Sequence, residues 1–271
     1  MNDLNEWLNL IVRWFHVIAG IMWIGQTYLF HWMERVLVPP EKPEQKPNIS
    51  GELWMVHGGG FYLVEKQKWP EVMPRTLHWF KWEAGLTWLS GVVLLGVVYW
   101  AGAPLLDYGS ALSRAQGVAV SAGALLLAFP VYTALWKSPL GRSEPLGAAA
   151  GWGLALAAAW GLSHFLSDRA VYLHVGAMFG TIMVANVWMV IIPSQKKMMA
   201  LTESGGKPEP ELAARSKRCS KHNTFMSVPL IFTMLSSHFP ATTFGGEHPL
   251  AVLGVLILVG WGGAKLIRDH L

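Results

Sequence analysis

Long apolar segments alternate with polar connections along the whole chain. A run of about 20 apolar residues is long enough to cross the hydrocarbon core of a bilayer as an α-helix. The predicted spans are Trp7–Met33, Trp79–Ala101, Ala115–Leu135, Leu146–Leu166, Ala170–Ile192, Thr224–Phe239 and Leu250–Ile267. The sixth is short and contains Pro229, which predicts a kink near its middle. The pattern predicts an all-α, polytopic transmembrane helical bundle of about seven spans, forming one domain over residues 1–271.

The basic residues are distributed unevenly between the two sets of alternating connections. Of the 21 Lys and Arg residues, all but Arg13, Arg114 and Arg169 belong to one set. Because Lys and Arg are concentrated in the cytoplasmic loops of membrane proteins, this asymmetry predicts an N-terminus outside and a C-terminus in the cytoplasm. It also accounts for the net charge of +4 without a nucleic-acid partner.

Two of the predicted cytoplasmic connections are long, residues 34–78 and residues 194–221. The first begins with a proline- and charge-rich stretch, predicted to be a flexible arm, and continues into a stretch that contains Trp54, His57 and Phe61. So many aromatic residues predict packing beneath the bundle rather than exposure to solvent. The second connection is basic, and its Gly-Gly pair predicts a mobile turn before another helix.

The composition indicates a membrane protein, and it excludes both an intrachain disulfide and a covalently attached c-type haem. The chain is 52% hydrophobic and 14% charged, whereas soluble domains carry roughly a quarter charged residues. Cys219 is the single cysteine, so no disulfide forms within the chain, and the C-x-x-C-H motif that attaches a c-type haem is absent. No positive region precedes the first apolar run, which also exceeds signal-peptide length, so we expect a retained helix.

Ten histidines occur in the chain, and several lie at membrane depth. A buried imidazole costs free energy unless it is paired or coordinated, so these residues are candidates for function. Two interpretations stay open: axial ligands to haem b, or single hydrogen bonds between neighbouring helices. The candidate haem ligands are His16, His174, His222 and His238, and the second-choice candidates are His31 and His78.

The spacing of these histidines permits two arrangements of haem. His16 and His31 lie 15 residues apart, or about 22 Å along a helix, which suits one haem near each membrane face. His222 and His238 complete that pattern only if a kink intervenes, because 16 residues place them on opposite sides of a helix. The other arrangement is a single outer haem held by His16 with His174 or with His238.

Two cytoplasmic motifs carry further candidate chemistry. In His57-Gly58-Gly59-Gly60, the glycines either let backbone N–H groups approach an anion or form a tight turn with positive φ. Glu83 follows Lys81 at the start of the second span. A carboxylate at that depth is either a proton acceptor or the partner of a basic side chain.

Asparagine amides inside the apolar segments also need partners. Asn186 lies in the fifth span, and Asn223 lies beside His222. Polar side chains in membrane helices commonly bond across to a neighbouring helix. We therefore predict that these two residues make hydrogen bonds between helices.

Several strings resemble the membrane domain of the PuuD-type membrane-bound urate oxidase family. They are Arg13-Trp-Phe-His-Val-Ile-Ala-Gly-Ile-Met-Trp-Ile-Gly, Val56-His-Gly-Gly-Gly-Phe-Tyr, Trp79-Phe-Lys-Trp-Glu-Ala, Thr87-Trp-Leu-Ser-Gly, Ile182-Met-Val-Ala-Asn-Val-Trp, Ile192-Pro-Ser-Gln-Lys-Lys-Met, and the stretch from His222-Asn to Ser237-His-Phe-Pro. The resemblance covers six of the seven predicted spans. The first span also resembles the opening helix of HemJ-type protoporphyrinogen oxidases, which bind haem b.

The family resemblance implies an integral enzyme of the bacterial inner membrane that hydroxylates urate to 5-hydroxyisourate and passes electrons to cytochrome c. His57 and Glu83 are then candidate catalytic residues; Gly58, Gly59, Gly60 and Lys81 are candidate substrate-binding residues. Full-length members continue into a further span and a periplasmic cytochrome c domain. This sequence ends at Leu271 without them, so we expect a separate cytochrome c or other electron acceptor, or a truncated chain.

Two other functions stay open at the level of sequence. One is a proton-coupled purine or anion transporter, with Glu83 and the histidines as a proton relay. The paired broken helices in two related halves that typify such transporters are not evident in the sequence. The other is a haem b electron-transfer subunit that docks to a partner oxidase.

Overall fold

A computed structural model describes residues 3–67, 77–102, 105–206 and 209–270 of the chain. The helices are α1 (Asp3–Val36), α2 (Trp82–Leu94), α3 (Arg114–Lys137), α4 (Glu144–Ser163), α5 (Asp168–Ala185), α6 (Ile192–Glu203), α7 (Pro210–Leu235) and α8 (Pro249–His270). Two strands, β1 (Ile49–His57) and β2 (Gly60–Gln67), lie between α1 and α2. Single π-helical segments extend α2 over Leu95–Trp100 and join α5 to α6 over Asn186–Ile191. The architecture is the predicted all-α bundle with one small hairpin.

Local sequence explains where several helices begin. Ser113 caps α3 in a reciprocal capping box with Gln116. The side chain of Ser167 caps α5 by accepting a hydrogen bond from the backbone N–H of Ala170. Pro210 opens α7, where its missing N–H removes no helical hydrogen bond. These signals set helix boundaries that hydropathy alone does not mark.

Contacts between neighbouring helices fix their relative directions. Helix α2 contacts α1 through His16–Ser90 and Phe30–Phe80, and it contacts α5 with its π-helical extension through Trp88–Thr181 and Gly85–Trp188. Helix α3 contacts α5 and its extension through Ser121–His174 and Tyr132–Asn186, and it contacts α4 through Trp136–Gly147 and Leu135–Gly151. Helix α7 contacts α5 and its extension through Gly176–Thr233 and Asn186–Asn223, and it contacts α8 through Pro229–Gly260 and Val228–Gly263. Only α3 and α5 run parallel among these pairs. Helix α6 continues α5 in the same direction. The other helices, α1 to α5 followed by α7 and α8, therefore alternate in direction along the chain, as the distribution of charge predicted.

Helix α7 differs from the other helices of this series because its first half is charged. Six helical segments of the described chain are long and apolar enough to cross a membrane, and α7 is not among them. Its second half is nonetheless internal, since Thr224, Ser227 and Thr233 are fully buried. Pro229 lies against Gly260 of α8, where an added Cβ would be 2.9 Å from the proline ring. The polar helix is therefore accommodated by close packing inside the bundle.

The predicted loop over residues 194–221 is mostly helical. The helix that starts as α5 continues through the π segment and α6 to Glu203, a length of 36 residues, or about 54 Å. That length exceeds the roughly 30 Å hydrocarbon core of a bilayer. Because Ala, Met, Leu, Lys and Glu are strong helix formers, the chain stays helical where it leaves the membrane.

Residues 34–78 were predicted to be a flexible arm followed by an aromatic stretch packed beneath the bundle. The described part of this connection instead contains a β-hairpin. Strands β1 and β2 pair antiparallel, with Trp54 opposite Leu63 and Val56 opposite Phe61. The expected packing of the aromatic side chains beneath the bundle is wrong, because Trp54 is 65% exposed and Phe61 80% exposed. Apolar and aromatic residues on either side of a Gly-Gly pair favour a two-residue hairpin, which explains the difference.

Ion pairs hold the base of this hairpin. Lys46 donates to Glu52 and, at 2.6 Å, to Glu65. These hydrogen bonds, first to Glu52 and then to Glu65, raise the pKa of Lys46, and the bond from Lys46 lowers the pKa of Glu65. Lys66 donates to Glu34 in the last turns of α1. The base of the hairpin is thereby fastened to the C-terminal end of α1.

The close approach of α5 to α7 gives a testable prediction. A Cβ at Gly176 would lie 2.0 Å from Oγ1 of Thr233. We expect Gly176→Ala to destabilise the bundle by about 1–3 kcal/mol, because the two helices have to move apart. Thermal unfolding in detergent measures this loss. Gly153→Ala is the matched control, since a Cβ there meets nothing within 4 Å; equal unfolding temperatures for the two variants would contradict the prediction.

The hairpin turn gives a second prediction. Gly58 and Gly59 have φ of 57° and 80°, a region that asparagine tolerates and β-branched residues avoid. We expect Gly58→Val to destabilise the hairpin by roughly 1–2 kcal/mol and Gly58→Asn to leave it nearly unchanged. The rate of limited proteolysis within residues 49–67 reports the difference. Equal cleavage of both variants would show that this backbone conformation does not stabilise the hairpin.

Candidate functional site

Helix α5 contains a fully buried histidine whose two ring nitrogens both have partners. His174 is 0% exposed. Its Nε2 lies 2.6 Å from Oγ of Ser121, and its Nδ1 lies 2.6 Å from the carbonyl oxygen of Ala170. The ring of Tyr99 stands edge-on at 6.3 Å between centroids. A metal would have to displace one of these hydrogen bonds to bind His174.

His16 occupies a separate position between α1 and α2. Its Nδ1 lies 3.0 Å from both the carbonyl oxygen of Thr87 and Oγ of Ser90. Gly91 makes room for the ring, since a Cβ there would come within 3.1 Å of Cε1 of His16. The described hydrogen bonds use Nδ1 and leave Nε2 of His16 to other partners.

His222 is a residue of α7, whereas His31 belongs to α1 and approaches α7 from the side opposite to His222. Nε2 of His31 is 2.6 Å from Oγ1 of Thr224. Positions 222 and 224 of a helix are about 200° apart around its axis. The predicted inner pair therefore does not converge on one space.

The remaining predicted ligands do not complete a pair either. His238 is exposed in the 3₁₀ turn Ser236–His238 that follows α7. Across the described ranges, no three His, Cys, Asp or Glu side chains form a metal-binding group. The geometry of these side chains matches single hydrogen bonds between helices better than either haem arrangement, and haem binding itself stays a prediction.

A buried polar cluster joins α3, the π segment and α7. Nδ2 of Asn186 donates to Oδ1 of Asn223 at 2.9 Å and to the hydroxyl of Tyr132 at 3.3 Å. The hydrogen bond between the two asparagines confirms that predicted contact. The hydroxyl of Tyr132 lies 2.6 Å from Nδ1 of His222, whose ring packs on Trp136 at 4.1 Å between centroids. This cluster places a phenol, an imidazole and an indole in one contiguous set.

A second polar group lies where α1 meets the start of α2. Oε1 of Glu83 is 3.6 Å from Nε2 of His78, while Oε2 of Glu83 is buried without a hydrogen-bond partner among the described residues. The ring of Phe80 contacts both His78 and Phe30 of α1. Nε2 of Gln26 is also buried and unpaired within the described part of the chain. The contacts between α1 and α2 place Gln26 at the level of Glu83, so two unsatisfied polar groups share this region, which we call the α1/α2 mouth.

Lys81 points away from the α1/α2 mouth. Its Nζ lies 5.4 Å from the ring centroid of Trp82 and 5.3 Å from that of Trp188. Nε1 of Trp188 donates to the carbonyl oxygen of Lys81 at 3.2 Å. Lys81 and Glu83 are two residues apart on a helical turn and so face opposite sides of α2. The structure thus separates the predicted cation from the predicted acid.

His57 and the three glycines lie at the tip of the β-hairpin. His57 is paired with Gly60, and Gly58 and Gly59 form the turn between them with positive φ. His57, Gly58 and Gly59 are exposed. No described contact joins this tip to Glu83. The tight-turn interpretation of the motif agrees with this geometry, whereas the anion-cradle interpretation has no described contact in its support.

Two residues of the candidate sites were missed by sequence reasoning. Gln26 is a polar residue inside the first apolar span, and that contrast alone was a usable signal. Tyr132 gave no such signal, because tyrosine is common in membrane helices and its hydrogen bond to His222 depends on how α3 packs against α7.

A pocket beside the start of α5 is too small to hold a small organic ligand. It is lined by Asp168, Tyr172 and Pro249 among others and has a volume of about 100 Å³. Ligand sites for small organic molecules usually occupy ~300–1,000 Å³. We therefore place the candidate chemistry at the α1/α2 mouth and in the Tyr132 cluster.

Comparison with known proteins supports one family. A family model described as urate oxidase N-terminal matches residues 2–269. No curated protein and no solved structure matches the chain. The matched range includes both candidate sites and all the described helices except the last residue of α8. The chain therefore belongs to the urate oxidase N-terminal family.

Proposed function

We propose that this protein is a membrane-bound oxidoreductase that hydroxylates urate to 5-hydroxyisourate and passes the electrons to a c-type cytochrome. The observation that carries the proposal is the α1/α2 mouth in a chain of this family. There, the Glu83 carboxylate, one oxygen of which is buried and unpaired within the described ranges, stands beside the ring of His78. A buried polar group without a partner is costly in a folded protein and often marks a functional position.

The proposed reaction needs a base. Uric acid and water yield 5-hydroxyisourate, two protons and two electrons, and two ferric cytochromes accept one electron each. Glu83 is positioned to accept a proton through Oε2, which has no hydrogen-bond partner in the described part of the chain, while Oε1 lies 3.6 Å from Nε2 of His78. His78 is largely exposed and can pass the proton to solvent. Proton transfer to a positioned side chain is the role of a general base.

The other groups at the mouth suit a planar purine. An amide side chain both donates and accepts hydrogen bonds, which matches the alternating C=O and N–H groups of urate. Gln26 supplies such an amide, with Nε2 unpaired in the described structure. The rings of Phe30 and Phe80 lie 5.0 Å apart and provide an apolar wall. Lys81, His57 and the glycines of the hairpin stay predictions as urate ligands, and the geometry favours Glu83 and His78 over them.

Replacing Glu83 tests the proposal. We expect Glu83→Gln to lower kcat for urate-dependent cytochrome c reduction by roughly 10²- to 10⁴-fold, because the amide is similar in shape but accepts no proton. Glu83→Asp retains a base and should keep part of the activity. The rate is followed by the absorbance of reduced cytochrome c with the full-length chain in nanodiscs.

The matched control is Glu209→Gln, which removes an exposed carboxylate that pairs with Lys197 on the cytoplasmic side. This control should oxidise urate at the wild-type rate. Wild-type activity of Glu83→Gln would overturn the assignment of the base. Uptake of labelled urate into proteoliposomes without its oxidation would overturn the proposed reaction in favour of transport.

The predicted haem b has its own test. A Soret band in the absorption spectrum of the purified protein would establish haem, and its absence from a fully active protein would refute the prediction. His16 and His222 are the variants to compare, because the described hydrogen bonds use Nδ1 of each ring and leave Nε2 to other partners. We expect a haem held by either residue to lose its Soret band on replacement by alanine, whereas His248→Ala serves as the control.

A further inference from the structure

We infer that the β-hairpin lies in the membrane interface, with the side chains of Trp54, Val56, Phe61 and Leu63 directed into the lipid. The inference goes beyond the proposed function and does not depend on it. The occupant of this surface is the bilayer that the helices span, so the hairpin is a second, non-helical contact between the chain and the membrane.

The register of the two strands places four apolar side chains on one face. Trp54 is opposite Leu63, and Val56 is opposite Phe61. Residues two apart along a strand point to the same side of a sheet. The exposed fractions of Trp54, Val56, Phe61 and Leu63 are 65%, 68%, 80% and 40%. A contiguous exposed apolar patch marks a surface that contacts a partner or a membrane. We call these four side chains the apolar face.

Charge is confined to the base of the hairpin. Residues 53–64 contain no Asp, Glu, Lys or Arg, so the half of the hairpin that includes the turn is uncharged on both faces. At the base, Lys46 pairs with Glu52 and Glu65, and Lys66 pairs with the last turns of α1. Charges close to the hydrocarbon are tolerated when they are paired. This division suits a segment whose base lies among headgroups and whose apolar half enters the lipid.

The attachment of the hairpin to α1 sets the depth of its base. Residues 14–33 of α1 are uncharged, and Glu34 ends that stretch. Twenty helical residues cover about 30 Å, the thickness of the hydrocarbon core. Lys66 donates to Glu34, so the base is held where α1 leaves the hydrocarbon. Leu29 of α1 is exposed just inside that level, which brings the lipid-facing surface of α1 close to the hairpin.

The contacts that the structure describes between the hairpin and the rest of the chain lie at its base. Leu37 packs against Gly51, and Val38 pairs with Glu52. An isolated two-stranded hairpin is at best marginally stable in water and needs a surface to pack on. Lipid meets this need for a hairpin that begins at the membrane surface and carries no charge near its turn.

The backbone of the hairpin limits how deeply it enters. The sheet has two strands, so the outer edge of each strand presents N–H and C=O groups that no further strand pairs within the described structure, apart from the bridge at Val38. Unpaired backbone groups are excluded from the hydrocarbon core. In the interface, water and headgroups bond these edges, and Trp and Tyr are enriched there. We therefore expect the apolar face about 5–10 Å inside the headgroup boundary.

Collision rates of a nitroxide spin label with oxygen and with a water-soluble nickel chelate test this position. The full-length chain is studied in nanodiscs, with Cys219→Ala removing the buried native thiol. The label at Val56→Cys reports the apolar face. Leu126→Cys is the lipid control, because Leu126 is exposed near the middle of α3, and Glu44→Cys is the aqueous control from the same connection as the hairpin. We expect the oxygen-to-nickel ratio at position 56 to lie well above that at position 44 and to approach that at position 126.

Two results of this measurement would overturn the inference. A ratio at position 56 equal to that at position 44 would place the apolar face in water. Low collision rates with both reagents would show that protein covers the face, and dipolar broadening between labels would then identify a second copy of the chain as the cover.

Variants at Phe61 separate lipid from a shaped protein surface. With the label at position 56, Phe61→Asp should shift the ratio toward the aqueous value, whereas Phe61→Leu should leave it unchanged, because lipid accepts any apolar side chain. Equal shifts in the two variants would contradict insertion of the apolar face. The label at Leu126→Cys, measured in the same variants, should keep its ratio and so report that the bundle is intact.

Discussion

Polar groups inside an apolar bundle have no water to bond, so each must find a partner on a neighbouring helix or remain costly. This constraint determines how α5 and α7 pack. Asn186 and Asn223 bond across the contact, Nδ2 of Asn223 donates to the carbonyl oxygen of Met183, and Gly176 lets α7 approach closely enough for these bonds to form. The polar second half of α7 is stable inside the bundle because the buried side chains of Asn223, Thr224, Ser227 and Thr233 have hydrogen-bond partners.

The same constraint draws attention to buried polar atoms that lack a hydrogen-bond partner. Among the described residues, five buried side-chain atoms have no hydrogen-bond partner, and they belong to Gln26, Glu83, Asn186, Ser216 and Trp261. Gln26 and Glu83 lie at one level of the α1/α2 mouth, and Asn186 adjoins Tyr132. Because Gln26 and Glu83 share one region of the bundle, a ligand, a water or a proton bound there would complete both groups.

The helices and their directions could be predicted because apolar length and basic loops are local properties of the sequence. The partners of Lys81 and Glu83 could not be predicted. Lys81 packs on Trp82 and Trp188 whereas Glu83 approaches His78, and these contacts depend on how α2 packs against its neighbours. The tight turn at the glycines after His57 was one of the two interpretations of that motif, but the two strands that flank it were not predicted, because their aromatic residues indicated packing beneath the bundle. The pairing of histidines stays a prediction: depth along a helix is readable from numbering, whereas the direction in which each imidazole faces depends on the packing of α7 against its neighbours.

The positions of the two candidate sites impose a final requirement on the proposed reaction. The distribution of Lys and Arg predicts that the α1/α2 mouth lies at the cytoplasmic end of α2, whereas the acceptor of the proposed reaction is periplasmic, so electrons would have to cross the bundle. His16 and His222 are candidate haem ligands whose described hydrogen bonds use Nδ1 of each ring and leave Nε2 to other partners. A haem held by either residue would supply a carrier along this path, because neither ring would have to give up its described hydrogen bond to bind the iron.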